Sequence, residues 1–454
     1  MKLDLMKSRP VQSAPIHGKS FTAEGAVPGQ SRPGRVDRWA LDKLFAATGR
    51  APIRLRLWNG LETGQSDPAP IATVHIHDRV TLLKLLVYPE LYFGEAYCSG
   101  ALEVEGSLVR LMEHVYVALA NAPAHSFLHR LITRGIYRPR DTTLEASRDN
   151  IHRHYNIGNE FYRLWLDEQM VYTCAYFRSP TDTLGQAQID KMDHVCRKLE
   201  LRRGLAVVEA GCGWGSLALH MAQRYGVTVK AYNISHEQIR YARQKAQELG
   251  LQDRVEFIED DYRNISGQFD VFVSVGMLEH VGFKHLDAFG EVIQRSLKGS
   301  GRGLIHFIGH NRPAVMNAWI ERHIFAGGYS PTLSEAAKML EPGNFTVLDV
   351  ENIRLHYAKT LEHWLARFER AVPQITRMFG EAFVRTWRLY LSGSMAAFNT
   401  GDMQLFQVVF NRYGNNQVPW TREYLYQPPL RGAFHDQTLG IEAASSRGEV
   451  YWPC

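Results

Sequence analysis

Apolar residues along the chain keep two different rhythms. Between about residues 39 and 120 they alternate with polar ones in Ile53-Arg54-Leu55-Arg56-Leu57-Trp58-Asn59-Gly60 and again in Ala72-Thr73-Val74-His75-Ile76-His77-Asp78. That is the period of a strand with one face on a core and one in water. The helical spacing of Ser107-Leu108-Val109-Arg110-Leu111-Met112 follows, so this part predicts a small α+β domain over 39–120. From 151 to 412 short apolar runs are separated by amphipathic helices. Strands are predicted over 205–209, 227–232, 254–258, 269–275 and 303–308, and helices over 215–225, 235–249 and 284–297. Such alternation predicts an α/β fold, a doubly wound parallel sheet. Residues 1–38, rich in Ser, Pro, Gly and Gln, predict a flexible lead, 121–150 a connector, and 413–454, with Pro419, Pro428, Pro429 and Pro453, an extended tail.

Ligands of such sheets bind outside the carboxyl ends of the strands. The chemically informative residues collect there: Gly211 to Gly215 after the first strand, Asn233 to Gln238 after the second, Asp261-Tyr262 after the third, Met277 to His280 after the fourth, and Ile308 to His310 at the fifth. The run Val207-Val208-Glu209-Ala210-Gly211-Cys212-Gly213-Trp214-Gly215-Ser216 carries the strongest signal. Glycines between a strand and a helix let the backbone approach a nucleotide-type ligand where a side chain would not fit. The loop lacks the Lys-Ser/Thr of a phosphate-cradling loop and departs from G-x-G-x-x-G. A smaller adenosine ligand is favoured, S-adenosylmethionine first.

Composition narrows the classes. With 454 residues, 45% hydrophobic and 22% charged, the chain is an ordinary globular one long enough for two or three domains. No secretory leader and no apolar run of membrane-spanning length is read, which predicts a cytoplasmic protein. Five cysteines, Cys98, Cys174, Cys196, Cys212 and Cys454, form no C-x-x-C pair, so neither a disulfide framework nor a zinc site is expected. A net charge of +5 without a basic aromatic tract predicts no nucleic-acid partner and suits an anionic surface.

Six runs in order resemble the cyclopropane fatty acid synthases and their mycolic-acid-modifying relatives. They are His154-Tyr155-Asn156-Ile157-Gly158-Asn159, Tyr172-Thr173-Cys174-Ala175-Tyr176-Phe177, the glycine loop, Val275-Gly276-Met277-Leu278-Glu279-His280-Val281-Gly282, Leu304-Ile305-His306-Phe307-Ile308-Gly309, and His356-Tyr357-Ala358-Lys359-Thr360-Leu361. The resemblance implies a class I, Rossmann-like methyltransferase sheet with a small N-terminal lipid-binding-type domain. It implies an enzyme that moves the methyl of S-adenosylmethionine onto a cis double bond of a phospholipid acyl chain and closes a three-membered ring.

An alkene is a weak nucleophile, so it must be held in line with the sulfonium methyl in a dry site, and the resulting cation calls for aromatic faces and a positioned base. Tyr155, Tyr172, Tyr176, Phe177 and Tyr357 supply candidate faces. By resemblance the base is a bound bicarbonate held by Cys174, Glu279, His306, Ile308 and Tyr357. The same resemblance carries cofactor binding to Tyr172, Thr173, Glu209, Gly211, Cys212, Gly213, Trp214, Gly215, Asn233, Ile234, Gln238, Tyr262 and Arg263, with Tyr262 bordering the adenine. Three positions depart from the family pattern: Asn233 stands where Thr is usual, Asn156 where Asp is usual, and Ser394 where Cys is common. Ser394 is read as structural.

Plainer readings exist for each residue. Cys174 alone is a buried thiol, Glu279-His280 a helix cap and His306 a core histidine; their shared crevice favours chemistry. His75 and His77 share one strand face without a third ligand, so they are read as polar filler and no metal is assigned. Two segments are candidates for lipid. Residues 125–140 place Phe127, Leu128, Leu131 and Ile132 beside Arg130, Arg134, Arg138 and Arg140, suiting an anionic membrane surface. Trp319-Ile320-Glu321-Arg322-His323-Ile324-Phe325-Ala326-Gly327-Gly328 is expected as an exposed apolar cover over the acyl chain, hinged at its glycines. The expected setting is peripheral, at the inner face of a membrane, with a homodimer left open. The alternatives are a methyltransferase giving methylene or methyl-branched chains, and a lipid-binding homologue without catalysis.

Overall fold

In the computed structural model, residues 34–64, 70–121 and 157–426 are described. Tyr155, Asn156, the stretch 125–140 and most of the predicted lead, connector and tail lie outside them.

The first unit runs α1 (Arg35–Ala47), β1 (Arg54–Leu57), β2 (Glu62–Gly64), β3 (Ala72–Ile76), α2 (Arg79–Val87), α3 (Pro89–Ser99), β4 (Leu102–Gly106) and α4 (Leu108–Asn121). Its sheet has the order β2-β1-β3-β4, with β1 and β3 parallel and the other pairs antiparallel. The alternating runs form β1 and β3, whose Leu55, Leu57, Val74 and Ile76 face the core. Sequence rhythm missed β2 and β4: Glu62-Thr63-Gly64 is too short to alternate, and Leu102-Glu103-Val104-Glu105-Gly106 is an exposed edge strand. The His75 and His77 rings reach diagonally to the Glu105 and Glu103 carboxylates of β4, at 3.4 and 3.5 Å.

The second unit continues with α5 (Asn159–Arg163), α6 (Leu184–Lys198), β5 (Ala206–Ala210), α7 (Ser216–Tyr225), β6 (Thr228–Asn233), α8 (His236–Glu248), β7 (Val255–Glu259), β8 (Phe269–Val275), α9 (Leu278–Val281), α10 (Leu286–Ser296), β9 (Leu297–Gly309), α11 (Ala318–His323), α12 (Leu333–Leu340), β10 (Phe345–Asn352), α13 (Arg354–Phe379), α14 (Glu381–Thr400), β11 (Gln404–Arg412) and α15 (Glu423–Tyr426). Its seven strands stand in the order β10-β11-β9-β8-β5-β6-β7. The five predicted strands are the parallel ones: β5 and β8 are nearly continuous buried apolar runs, whereas β6 and β7 alternate buried and exposed positions. The strand order reverses between β5 and β8, where ligands of open α/β sheets bind.

Two expectations are corrected. The segment around Trp319 is not an exposed cover: Trp319 and Ile324 are only 3% and 4% exposed. The Trp319 ring lies where a Cβ on Gly94 of α3 would fall, within 2.5 Å, so α11 is clamped between the units. The predicted tail is also not extended throughout. Glu423–Tyr426 form a helical turn with Leu425 buried, and Arg197 of α6 donates to the Leu425 carbonyl at 3.1 Å.

The units are tied by α14 as well. Arg385 donates to the Leu102 carbonyl at 2.8 Å, and Asn399 to Glu113 of α4 at 2.7 Å. One apolar core runs from Leu41 and Ile53 of the first unit through Trp319 to Trp364 and Phe398 of the second.

Candidate active site

The glycine loop leaves β5 with Gly211, Gly213 and Gly215 at φ of 85, 53 and 86 degrees, where L side chains are strained. Their roles differ. A Cβ on Gly211 would meet Met277 at 2.8 Å and one on Gly215 the Phe257 ring at 2.6 Å, so these two allow close packing. A Cβ on Gly213 would meet nothing within 4 Å, so its backbone faces open space where a ligand can approach. Asn233, at the end of β6, donates to the Gly213 carbonyl at 3.1 Å and to Gln238 at 2.7 Å, fixing the loop against α8.

Behind the loop lies a cavity bordered by Tyr172, Thr173, Lys191, Glu209, Gly211–Trp214, Asn233, Gln238, Met277 and His280. Trp214 donates to Asn159 of α5 at 2.8 Å. The Tyr172 and Tyr390 hydroxyls meet at 2.8 Å. Thr173 is held from three sides: Gln188 donates to its carbonyl at 2.9 Å, Lys191 to its hydroxyl at 2.8 Å, and its methyl lies 2.7 Å from where a Cβ on Gly276 would be. Glu209, the penultimate residue of β5, has one buried carboxyl oxygen, Oε2, without a hydrogen-bond partner. Burial pushes its carboxyl up to about 8 against the opposing pull of Lys191, and pushes the Lys191 ammonium down to about 8.

Further in, Glu279 is the second residue of the short α9, which follows β8 after Gly276 and Met277. The Ile308 amide donates to its Oε1, Tyr329 N–H donates to its carbonyl at 2.8 Å, and Oε2 is buried without a partner. Burial raises its carboxyl to about 7, with the Ile308 amide acting the other way. His306, two residues before Ile308 on β9, is buried, meets Gln407 of β11 at 3.1 Å, and is held well below the usual imidazole range by burial. His280 is held at about 4 by the same cause.

Cys174 donates to the Ala175 carbonyl at 3.1 Å, and burial raises it, so it is a thiol rather than a thiolate nucleophile. Thr360 of α13 accepts from Ala175 N–H at 3.0 Å, pinning this segment one helical turn from Tyr357, whose ring stacks on Phe398 at 4.6 Å. Of the five residues assigned to the base, Glu279 meets the Ile308 amide two residues from His306, and Cys174 and Tyr357 lie on segments joined by the Ala175–Thr360 hydrogen bond. None borders the cofactor cavity itself. The buried Lys191 charge acts on Cys174, His306 and Glu209 alike.

Four assigned cofactor residues, Gly215, Ile234, Tyr262 and Arg263, do not border the cavity. Tyr262 packs edge-on against Phe289, and the Arg263 guanidinium is taken up by Asp261 at 2.8 and 3.0 Å. Sequence reasoning missed Lys191, Gln188, Asn159, Tyr390 and Gln407. A signal existed for the first two: on α6 they share a stripe with Leu184, Ala187 and Val195, core-facing positions where a lysine or glutamine has to find a partner.

Residues 142–408 match the family described as mycolic acid cyclopropane synthetase. The chain belongs to that family. It is an S-adenosylmethionine-dependent methyltransferase with the class I α/β fold. Residues 40–130 match a second family, described only as a domain of unknown function. The chain is 36% identical to a Pseudomonas putida protein named "Probable fatty acid methyltransferase", over 83% of this chain and 96% of that one. It is 35% identical to the cyclopropane-fatty-acyl-phospholipid synthase of Escherichia coli strain K12, over 72% and 85%. A solved mycolic acid cyclopropane synthase, CmaA1 complexed with SAH and CTAB, superposes with a TM-score of 0.56 at 28% identity, over 58% of this chain and 98% of that one.

Proposed function

We propose that the protein is a cyclopropane-fatty-acyl-phospholipid synthase, acting on a cis double bond in a membrane lipid with bicarbonate as the site ion. One observation carries the reading: Glu279 presents a buried, partnerless carboxyl oxygen beside the Ile308 amide, at the carboxyl end of β8. A carboxyl raised to about 7 is half protonated near neutrality and can donate to an anion. The His306 imidazole and the Tyr357 hydroxyl would add further donors for bicarbonate, while the Ile308 amide is given to Glu279 and the Cys174 thiol to the Ala175 carbonyl. S-adenosylmethionine supplies the methyl, and bicarbonate, when bound, the base for a proton of that methyl.

The chain's own residues do the rest. Tyr172, Thr173, Glu209, the Gly211–Gly215 loop, Asn233 and Gln238 hold and orient the methyl donor. Tyr162, Trp165, Tyr172 and Trp364 form a contiguous aromatic wall, with ring centroids 5.2 to 5.6 Å apart, which excludes water and faces developing positive charge. Neutral His306 orients rather than repels.

Peripheral binding to an anionic membrane at the inner face belongs to the same reading. No helix among the described residues is long and apolar enough to cross a membrane. The adjacent helices α1 and α2, joined by the Asp37–Arg79 ion pair at 2.8 Å, leave Val36, Trp39, Val80, Leu83 and Val87 exposed among Arg35, Arg38 and Lys84. That pairing of apolar and basic residues suits anionic headgroups.

The test supplies S-adenosylmethionine with a fully deuterated methyl to the enzyme and unsaturated phospholipid. A cyclopropane retains two deuteriums and shows shielded ring hydrogens by proton NMR. Three retained deuteriums, or vinylic signals, would replace this proposal with a methyl or methylene branch.

A further inference from the structure

A second cleft of about 530 Å³ opens beside the cofactor cavity, between α5, the turn that follows it, α8 and α13. Its size suits a small-molecule ligand, and its polar lining is dominated by arginine. Arg367, Arg370, Ala371 and Gln374 line it from one face of α13, at helical spacings of three, four and seven. Arg163 faces them from the end of α5, its guanidinium 5.5 Å from the centre of the Tyr241 ring. The acidic groups of the cleft are already engaged. Asp167 accepts from the Gln169 and Val171 amides, both at 3.0 Å, and Glu168 lies 3.4 Å from Arg367, which also donates to the Leu166 carbonyl. Among the described residues Arg370 has no hydrogen-bond or ionic partner. The cleft therefore holds a surplus of positive charge with an unengaged guanidinium at its mouth, the group best shaped to clamp a phosphate.

Met170 connects this cleft to the chemistry, since it borders both the cleft and the cofactor cavity. Its φ of 58 degrees is unusual for a residue with a side chain. The conformation is held by its amide bond to the Asp167 carbonyl at 3.0 Å and by the Asp167 carboxylate at the neighbouring amides. Backbone strain maintained in this way marks a position where side-chain placement matters. A ligand with its anion on the arginines would run its apolar part over Leu164, Leu166 and Met170 toward the methyl donor.

We infer that this arginine cleft seats the phosphodiester headgroup of the lipid substrate while the acyl chain passes Met170 into the reaction site. The inference rests on the reading of the substrate as a phospholipid. It is tested on the full chain saturated with SAH, titrated calorimetrically with dihexanoyl phosphatidylglycerol below its micellar concentration, a probe with no double bond to react. The wild type binds the probe. R370E weakens it about tenfold or more, as loss of a charge-assisted contact requires, R370K weakens it less, and SAH affinity is the same in all three.

Equal affinity of wild type and R370E for the probe, absence of binding to the wild type, or a parallel loss of SAH binding would overturn the inference. Inorganic phosphate binding as tightly as the probe would make this a free-phosphate site and overturn the headgroup assignment. The two readings fail separately. Loss of probe binding in R370E, with no cyclopropane formed by the wild type, keeps the headgroup site and removes the synthase. Cyclopropane formation with unchanged probe affinity in R370E does the reverse.

Discussion

Replacing Glu279 by Gln should make the protein a poorer enzyme and, above neutral pH, a more stable one. The carboxyl is 7% exposed, accepts the Ile308 amide through one oxygen and leaves the other unpartnered. Glutamine has the same shape and keeps the acceptor. Burial raises the folded-state carboxyl from 4.5 to about 7, so folding favours the protonated form. The stability this group contributes is complete below pH 4.5 and is lost as pH rises through about 7. At 1.36 kcal/mol per unit, the loss between pH 4.5 and pH 8 is about 3 kcal/mol. Other groups titrate over this range, but they are common to both proteins, so the difference between E279Q and wild type isolates Glu279. Denaturant unfolding of both at pH 5 and pH 8 should show the variant gaining about 2 to 3 kcal/mol on the wild type between the two pH values. Turnover of unsaturated phospholipid should fall about a hundredfold or more while cofactor affinity, by calorimetry, is kept. Parallel pH profiles of stability would refute the buried, partnerless carboxyl. Near-normal turnover would remove Glu279 from the chemistry.

Gly276→Ala places a methyl 2.7 Å from the Thr173 methyl at a residue with φ of 68 degrees. We expect a stability loss of roughly 2 kcal/mol and cofactor binding weakened by about tenfold; calorimetric titration checks it, and unchanged affinity would release Thr173 from the site. The double substitution Trp39→Glu and Leu83→Glu alters residues 57% and 44% exposed, so the fold should be kept while co-sedimentation with anionic vesicles is lost. Unchanged co-sedimentation would move the membrane contact elsewhere.

What could be read from sequence follows from how strongly each residue's surroundings are encoded locally. The central parallel strands and the glycine loop were legible because burial on both faces and a positive φ leave compositional marks. The antiparallel β10 was not: its exposed and half-buried positions do not alternate, since it rides on β11 at the sheet edge through a register shift between Val347 and Asp349. Trp319 was misread because an apolar helix on a membrane and one wedged between two units have the same periodicity; only Gly94, more than two hundred residues earlier, distinguishes them. Lys191 escaped because lysine on an amphipathic helix ordinarily reaches water, whereas its partner here is Thr173 on another segment. Tyr262 and Arg263 were carried over by resemblance, and sequence alone does not show that Asp261, two residues before Arg263, takes its guanidinium.

The seat of Trp319 on Gly94 has a consequence for how such a protein can change. A joint in which an indole occupies the space a methyl would need couples the two units mechanically and in evolution. A residue larger than glycine at 94 requires the indole to move or shrink, whereas a smaller side chain at 319 leaves a cavity that costs roughly 3 to 5 kcal/mol. The amino-terminal half is therefore no detachable accessory. Without it the indole and the α14 face that Arg385 and Asn399 now fasten would be bare to water, and the catalytic half would need a new surface before it could stand alone.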